Sequence, residues 1–126
     1  MSRIARRPRF LNLMHIRLPV GAITSIAHRG SGVLLFLCLP LAAFMLDVSL
    51  RGPEGFERAA QLLTTTPLRA LGVIFAWSLA HHMLAGIRFL LIDLGLGVDK
   101  PTARCSALAV NVAAPVIALL CLWRCW

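Results

Sequence analysis

The chain has 126 residues, 13 Lys and Arg against five Asp and Glu, and a formal net charge of +8. With 59% apolar and 14% charged residues and a mean hydropathy of +0.80, it is too apolar for a soluble protein, and its length suits one compact unit rather than two. Placement of the charge argues against nucleic-acid binding: six basic residues (Arg3, Arg6, Arg7, Arg9, Arg17, Arg29) gather with no acid among them, ahead of the first long apolar run, instead of covering a polar face.

In chain order, residues 1–22 form a basic lead punctuated by Pro8 and Pro19, with Phe10, Leu11, Leu13 and Ile16 expected to dip into a membrane surface. Residues 1–20 lack the continuous apolar core and small-residue cleavage site of a signal peptide, and the prolines interrupt the long amphipathic helix of an organelle transit peptide. The expectation is therefore a juxtamembrane segment in a bacterial inner membrane, held on the cytoplasmic side by its positive charge. Helix I is predicted over about 23–50. It is uncharged from Gly30 to Leu46, and Pro40 is expected to kink it, which membrane helices tolerate.

Residues 51–66 read as an external loop in which Glu54 and Glu57 offset Arg51 and Arg58, with room for a short helix ending near Leu63. Pro67 then suits the first turn of helix II, predicted over about 67–95. Ala70 to Ile87 is free of Asp, Glu, Lys and Arg, and eighteen helical residues span ~27 Å, close to the thickness of a hydrocarbon core. A turn over 96–104 places Lys100 and Arg104 on the cytoplasmic side. Helix III follows over about 105–125, apolar apart from Ser106 and Asn111, with Pro115 near its middle and Trp123 and Trp126 at the far interface. The expected fold is all-α, with three transmembrane helices and the N-terminus cytoplasmic. Cys38, Cys105, Cys121 and Cys125 contain no CxxC pair and read as small apolar filler.

Two polar clusters stand out against this background. In helix II, His82, Gly86, Phe89 and Asp93 share one face, while His81 turns away with Trp77 and Arg88. An imidazole inside hydrocarbon is costly unless it binds something. His82 with Gly86 one turn along makes half of a haem pocket, an axial nitrogen beside a position where a macrocycle can approach the backbone. Two readings stand on spacing alone: this one, and a histidine that hydrogen-bonds across a helix interface while Gly86 permits close packing. In helix I, Ser25, His28, Arg29 and Gly32 fall together near the cytoplasmic mouth. The Arg29 guanidinium suits a carboxylate such as a haem propionate, and Ser25 can donate to a carbonyl such as that of a quinone. Here too a plainer reading stands, with Arg29 reaching lipid phosphate and Ser25 capping the helix.

Taken together, Arg7-Pro8, the run Ile16 to Pro19, the Ser-x-x-His-Arg-x-x-Gly stretch from Ser25 to Gly32, the His-x-x-x-Gly-Ile-Arg stretch from His82 to Arg88, and Asp93 resemble the cytochrome b membrane-anchor subunit of succinate dehydrogenase. The loop from Gly52 to Phe56 also resembles bacterial members. The resemblance implies a subunit, not catalytic on its own, that packs with a second small membrane subunit around a shared haem b and holds an iron–sulfur and a flavoprotein subunit at the cytoplasmic face. It further implies His82 as axial ligand, His28 and Arg29 near the propionates, Ser25 and Arg29 in the ubiquinone site, and Gly86 against the haem face. Members often carry a histidine where this chain has Phe89, so any role of that imidazole is missing here. His81 is the remaining rival to His82 as ligand.

A fumarate reductase anchor would look similar. A small histidine-containing transporter subunit would need polar residues repeated along several spans, and helix III offers only Ser106 and Asn111. A purely structural adaptor would leave both polar clusters unexplained.

Overall fold

The computed structural model describes residues 17–125. The lead residues Phe10, Leu11, Leu13 and Ile16, and Arg7 and Pro8, lie outside the described residues. Four helices follow one another: α1 (Val20–Ser49), α2 (Pro53–Leu63), α3 (Thr66–Asp93) and α4 (Lys100–Cys125). Helices α1, α3 and α4 are each long and apolar enough to cross a membrane. Their 30, 28 and 26 residues correspond to ~45, ~42 and ~39 Å, so their ends extend beyond a hydrocarbon core of about 30 Å. The protein is an all-α, multi-pass membrane protein.

The helix ends differ from the sequence expectation for local reasons. Helix α1 starts at Val20 rather than about 23, because Pro19 holds extended backbone (φ −64°, ψ 153°) and its carbonyl accepts the N–H groups of Ala22 and Ile23 at 2.9 and 3.2 Å. Helix α4 starts at Lys100 rather than about 105. Asp99 Oδ2 there accepts the Thr102 N–H at 3.0 Å and its hydroxyl at 2.7 Å, and Pro101 fits a first turn that needs no N–H. The short helix expected to end near Leu63 is present as α2, and it takes up most of the stretch read as an external loop. Gly52 opens it at φ 99°, a left-handed conformation glycine adopts without strain, and Gly55 lies directly against the Val48 carbonyl at the end of α1. Helices α1 and α4 run unbroken through Pro40 and Pro115.

Helix α3 is the middle element, antiparallel to both α1 and α4 and packed against each. The seams are lined by small residues, with Ala80, Ala85, Ala107, Ala114 and Ala118 buried, which lets backbones approach closely where lipid gives no hydrophobic push between helices. Large apolar side chains such as Phe36, Leu37 and Leu90 point outward, while Thr24, Ser31, Ser78, His81 and Arg88 are buried. This inverts the pattern of a soluble protein and suits a hydrocarbon solvent.

Candidate imidazole site

His82 on α3 points at α1. Its ring stacks on that of His28 with centroids 4.2 Å apart and planes 10° from parallel. Its Nδ1 lies 3.2 Å from the His28 carbonyl oxygen and 3.5 Å from Ser31 Oγ, whose hydroxyl donates to the same carbonyl at 2.8 Å. A carbonyl oxygen only accepts, so Nδ1 carries a proton, which in a neutral imidazole leaves the lone pair on Nε2. Among the described residues no side chain or backbone group hydrogen-bonds that Nε2.

The two glycines are crossed with the two imidazoles. A β-carbon on Gly32 would lie 2.9 Å from His82 Cε1, and one on Gly86 would lie 3.6 Å from His28 Nε2. Gly86, read from the sequence as the space beneath His82, therefore faces the other imidazole, and Gly32 is the residue on which His82 rests. Phe89 completes the group, edge-on to His28 at 5.3 Å. Both imidazoles and both glycines are half-buried, so this chain encloses the cluster only in part. The two described grooves, of ≈390 and ≈180 Å³, involve Leu63, Leu68 and Gly72 toward the α2 end and none of these residues.

Ser25 is half-buried and Arg29 exposed. The single face expected for Ser25, His28, Arg29 and Gly32 is thus divided: His28 and Gly32 meet α3, and Arg29 faces outward. His81, about 100° around α3 from His82, turns to α4 instead of α1 and is 2% exposed. Its Nε2 donates to Asn111 Oδ1 at 3.2 Å, and its ring lies 5.5 Å from that of Trp77. Further along the same side, buried Arg88 donates from Nε to Ser106 Oγ at 3.0 Å and from Nη2 to the Ala103 carbonyl at 2.9 Å.

The family model for the succinate dehydrogenase/fumarate reductase transmembrane subunit matches residues 3–121. The chain belongs to this family. It is 39% identical over 117 residues to the succinate dehydrogenase cytochrome b556 subunit of Coxiella burnetii, covering 92% of this chain and 94% of that protein. It is 33% identical over 120 residues to the cytochrome b556 subunit of Paracoccus denitrificans, covering 92% and 89%. The mouse mitochondrial cytochrome b560 subunit is 33% identical over 93 residues, 71% of this chain and 54% of the mouse protein.

Within this transmembrane subunit, sequence reading overlooked Thr24. Its hydroxyl is buried and lies 3.0 Å from the Val20 carbonyl and 3.2 Å from Asn111 Oδ1. Asn111 was visible only as a polar residue in an apolar span, and a polar residue inside hydrocarbon is itself a signal that a partner exists. Ser31 was visible as part of a motif, but its contact with the His28 carbonyl needed the backbone of α1 and the face of α3 together.

Proposed function

We propose that this chain is the haem b-binding membrane anchor of a succinate dehydrogenase, seated in a bacterial inner membrane with its N-terminus cytoplasmic. It packs there with a second small membrane subunit and holds the iron–sulfur and flavoprotein subunits, whose electrons pass to ubiquinone. Family membership supports the anchoring role, and the names of the relatives, cytochromes b556 and b560, support the haem.

The observation that carries the haem reading is the state of the His82 ring. Metal-binding histidines generally donate the second ring N–H to a carbonyl or carboxylate, which fixes the tautomer and raises the basicity of the other nitrogen. His82 has this arrangement, with Nδ1 on the His28 carbonyl and Nε2 without a hydrogen-bond partner among the described residues. Haem iron takes imidazole nitrogen as a ligand, and His82 would hold it through Nε2. When bound, the haem supplies a one-electron redox centre.

This chain's residues do the rest. His28 and Ser31 hold His82, Gly32 and Gly86 leave space beside the two imidazoles, and Gly86 would face the haem. His28 and Arg29 are assigned to the propionates, and Ser25 and Arg29 to hydrogen bonds with quinone oxygens. The partial exposure of the cluster supports a haem shared with the second membrane subunit. His81 is enclosed within this chain and bound to Asn111, which supports His82 as the ligand. A fumarate reductase anchor would use the same arrangement, and the matched family includes both.

The test is the reduced-minus-oxidised spectrum of the chain co-expressed with its partners. A b-type band is expected, and His82→Leu should diminish it more than His81→Leu. Absence of the band would remove the haem, and equal or reversed effects would remove His82 as ligand.

A further inference from the structure

We propose that Asn111 is a positioning residue for His82: by holding His81, it fixes the rotation of α3 about its own axis and thereby the direction in which the neighbouring imidazole points. This rests on the haem reading above and extends it to a residue on a different helix, remote from the haem face.

Asn111 meets all three spanning helices at one atom. From α4, its Oδ1 lies 3.2 Å from Thr24 Oγ1 on α1 and 3.2 Å from His81 Nε2 on α3. The His81 ring has no other polar tether, since its Nδ1 is buried without a hydrogen-bond partner among the described residues, as is Ser78 Oγ one turn before it. In a hydrocarbon interior no water compensates a broken bond, so the one that is made is held.

His81 and His82 are consecutive, and their side chains leave the helix about 100° apart. A roll of α3 that frees His81 therefore carries His82 with it. With side chains about 6 Å from the axis, a 10° roll moves the His82 ring by about 1 Å, whereas a metal-binding constellation tolerates about 0.5 Å.

Elsewhere the seam between α3 and α4 would allow such a roll. Both helices bury alanines, Ala80 and Ala85 on α3 and Ala107 and Ala114 on α4, and small smooth surfaces resist separation better than rotation. The bonds of Arg88 to Ser106 and the Ala103 carbonyl come from a long side chain that can follow a small rotation. The short, directional link between His81 and Asn111 cannot.

The experiment uses the complete complex and reads the low-spin haem EPR signal, the haem midpoint potential and Tm. Asn111→Leu and His81→Leu are each expected to move the EPR signal and the potential in the same direction. The double variant should move them no further than Asn111→Leu alone, because both single changes break the His81–Asn111 contact. His81→Gln, whose amide can still donate to Asn111, should restore values close to those of the unaltered complex. Ala118→Gly, two turns along the same face of α4, should lower Tm and leave both haem readings unmoved. If Asn111→Leu does not assemble, the contrast between His81→Leu and His81→Gln decides the matter. Unmoved haem readings in the Leu variants, additive effects in the double variant, or an equal shift in Ala118→Gly overturn the proposal while leaving the haem in place. A complex without a b-type band overturns the haem reading and this proposal together.

Discussion

Gly32 on α1 and His82 on α3 are in such close contact that a β-carbon at position 32 would fall 2.9 Å from Cε1 and 3.2 Å from Nδ1 of the imidazole. The ring is stacked on His28 and bonded to its carbonyl, so it cannot yield without losing the bond that sets its tautomer.

Gly32→Ala is accordingly expected to weaken haem retention. An overpacked contact costs about 1–3 kcal/mol, which is roughly 5–150-fold if expressed wholly in affinity. Gly86→Ala makes a sharper comparison, since its β-carbon would meet His28 Nε2 at an ordinary 3.6 Å and this chain alone accommodates it. Haem content per complex, by reduced pyridine haemochrome, checks both. Loss in Gly32→Ala with full folding of Gly86→Ala is expected. Because Gly86 is assigned to the haem face, haem content should fall in this variant as well although the chain folds, and full haem content in Gly86→Ala would remove that assignment.

Arg29 is exposed on α1, one turn from Ser25 and next to His28, in the half of α1 nearer its start at Val20. If it bonds a quinone oxygen, removing a charge-assisted hydrogen bond of about 1.5–3 kcal/mol lowers quinone reduction roughly 10–100-fold. Arg29→Ala should do so while succinate oxidation with an artificial acceptor is retained. Loss of both activities would instead indicate failed assembly.

Helix α2 is seated by Gly55, over which the Val48 carbonyl leaves no room for a side chain. Ala59, a turn further along α2, is buried, as is Val48 itself. Gly55→Ala should force α2 off the end of α1 at a cost of about 1–3 kcal/mol, read as a lower Tm in detergent with the haem spectrum unchanged. An unchanged Tm would show that the seat contributes nothing.

The start of α4 depends on Asp99. The Thr102 hydroxyl first, and the Thr102 backbone N–H second, hold its carboxyl below the ordinary value. A carboxyl depressed in the folded state adds stability above its unfolded value, about 4, and that contribution fades as pH falls through the depressed value. Hydrogen exchange at the Thr102 amide should therefore be faster in Asp99→Ala at neutral pH, with the difference from the unaltered chain shrinking below about pH 4. A difference that persists unchanged into acid would remove the carboxylate from the cap.

The sequence alone carried the all-α class, the three spans and the residue types of the imidazole cluster. These follow from local quantities: the length of uncharged runs, the position of prolines and glycines, and helical spacing along one chain segment. Helix ends were less legible, because Pro19 and Asp99 extend α1 and α4 by capping geometry rather than by hydropathy. Which glycine meets which histidine, that His81 is enclosed and tied to Asn111, and that Arg29 faces outward while His28 faces α3 were decided by the tertiary structure. Each of these depends on the rotation and axial offset of one helix against another. A periodic pattern places residues on a common face, but it does not say which neighbour that face will meet, since between apolar helices in lipid the choice is made by packing of small residues and a few buried hydrogen bonds.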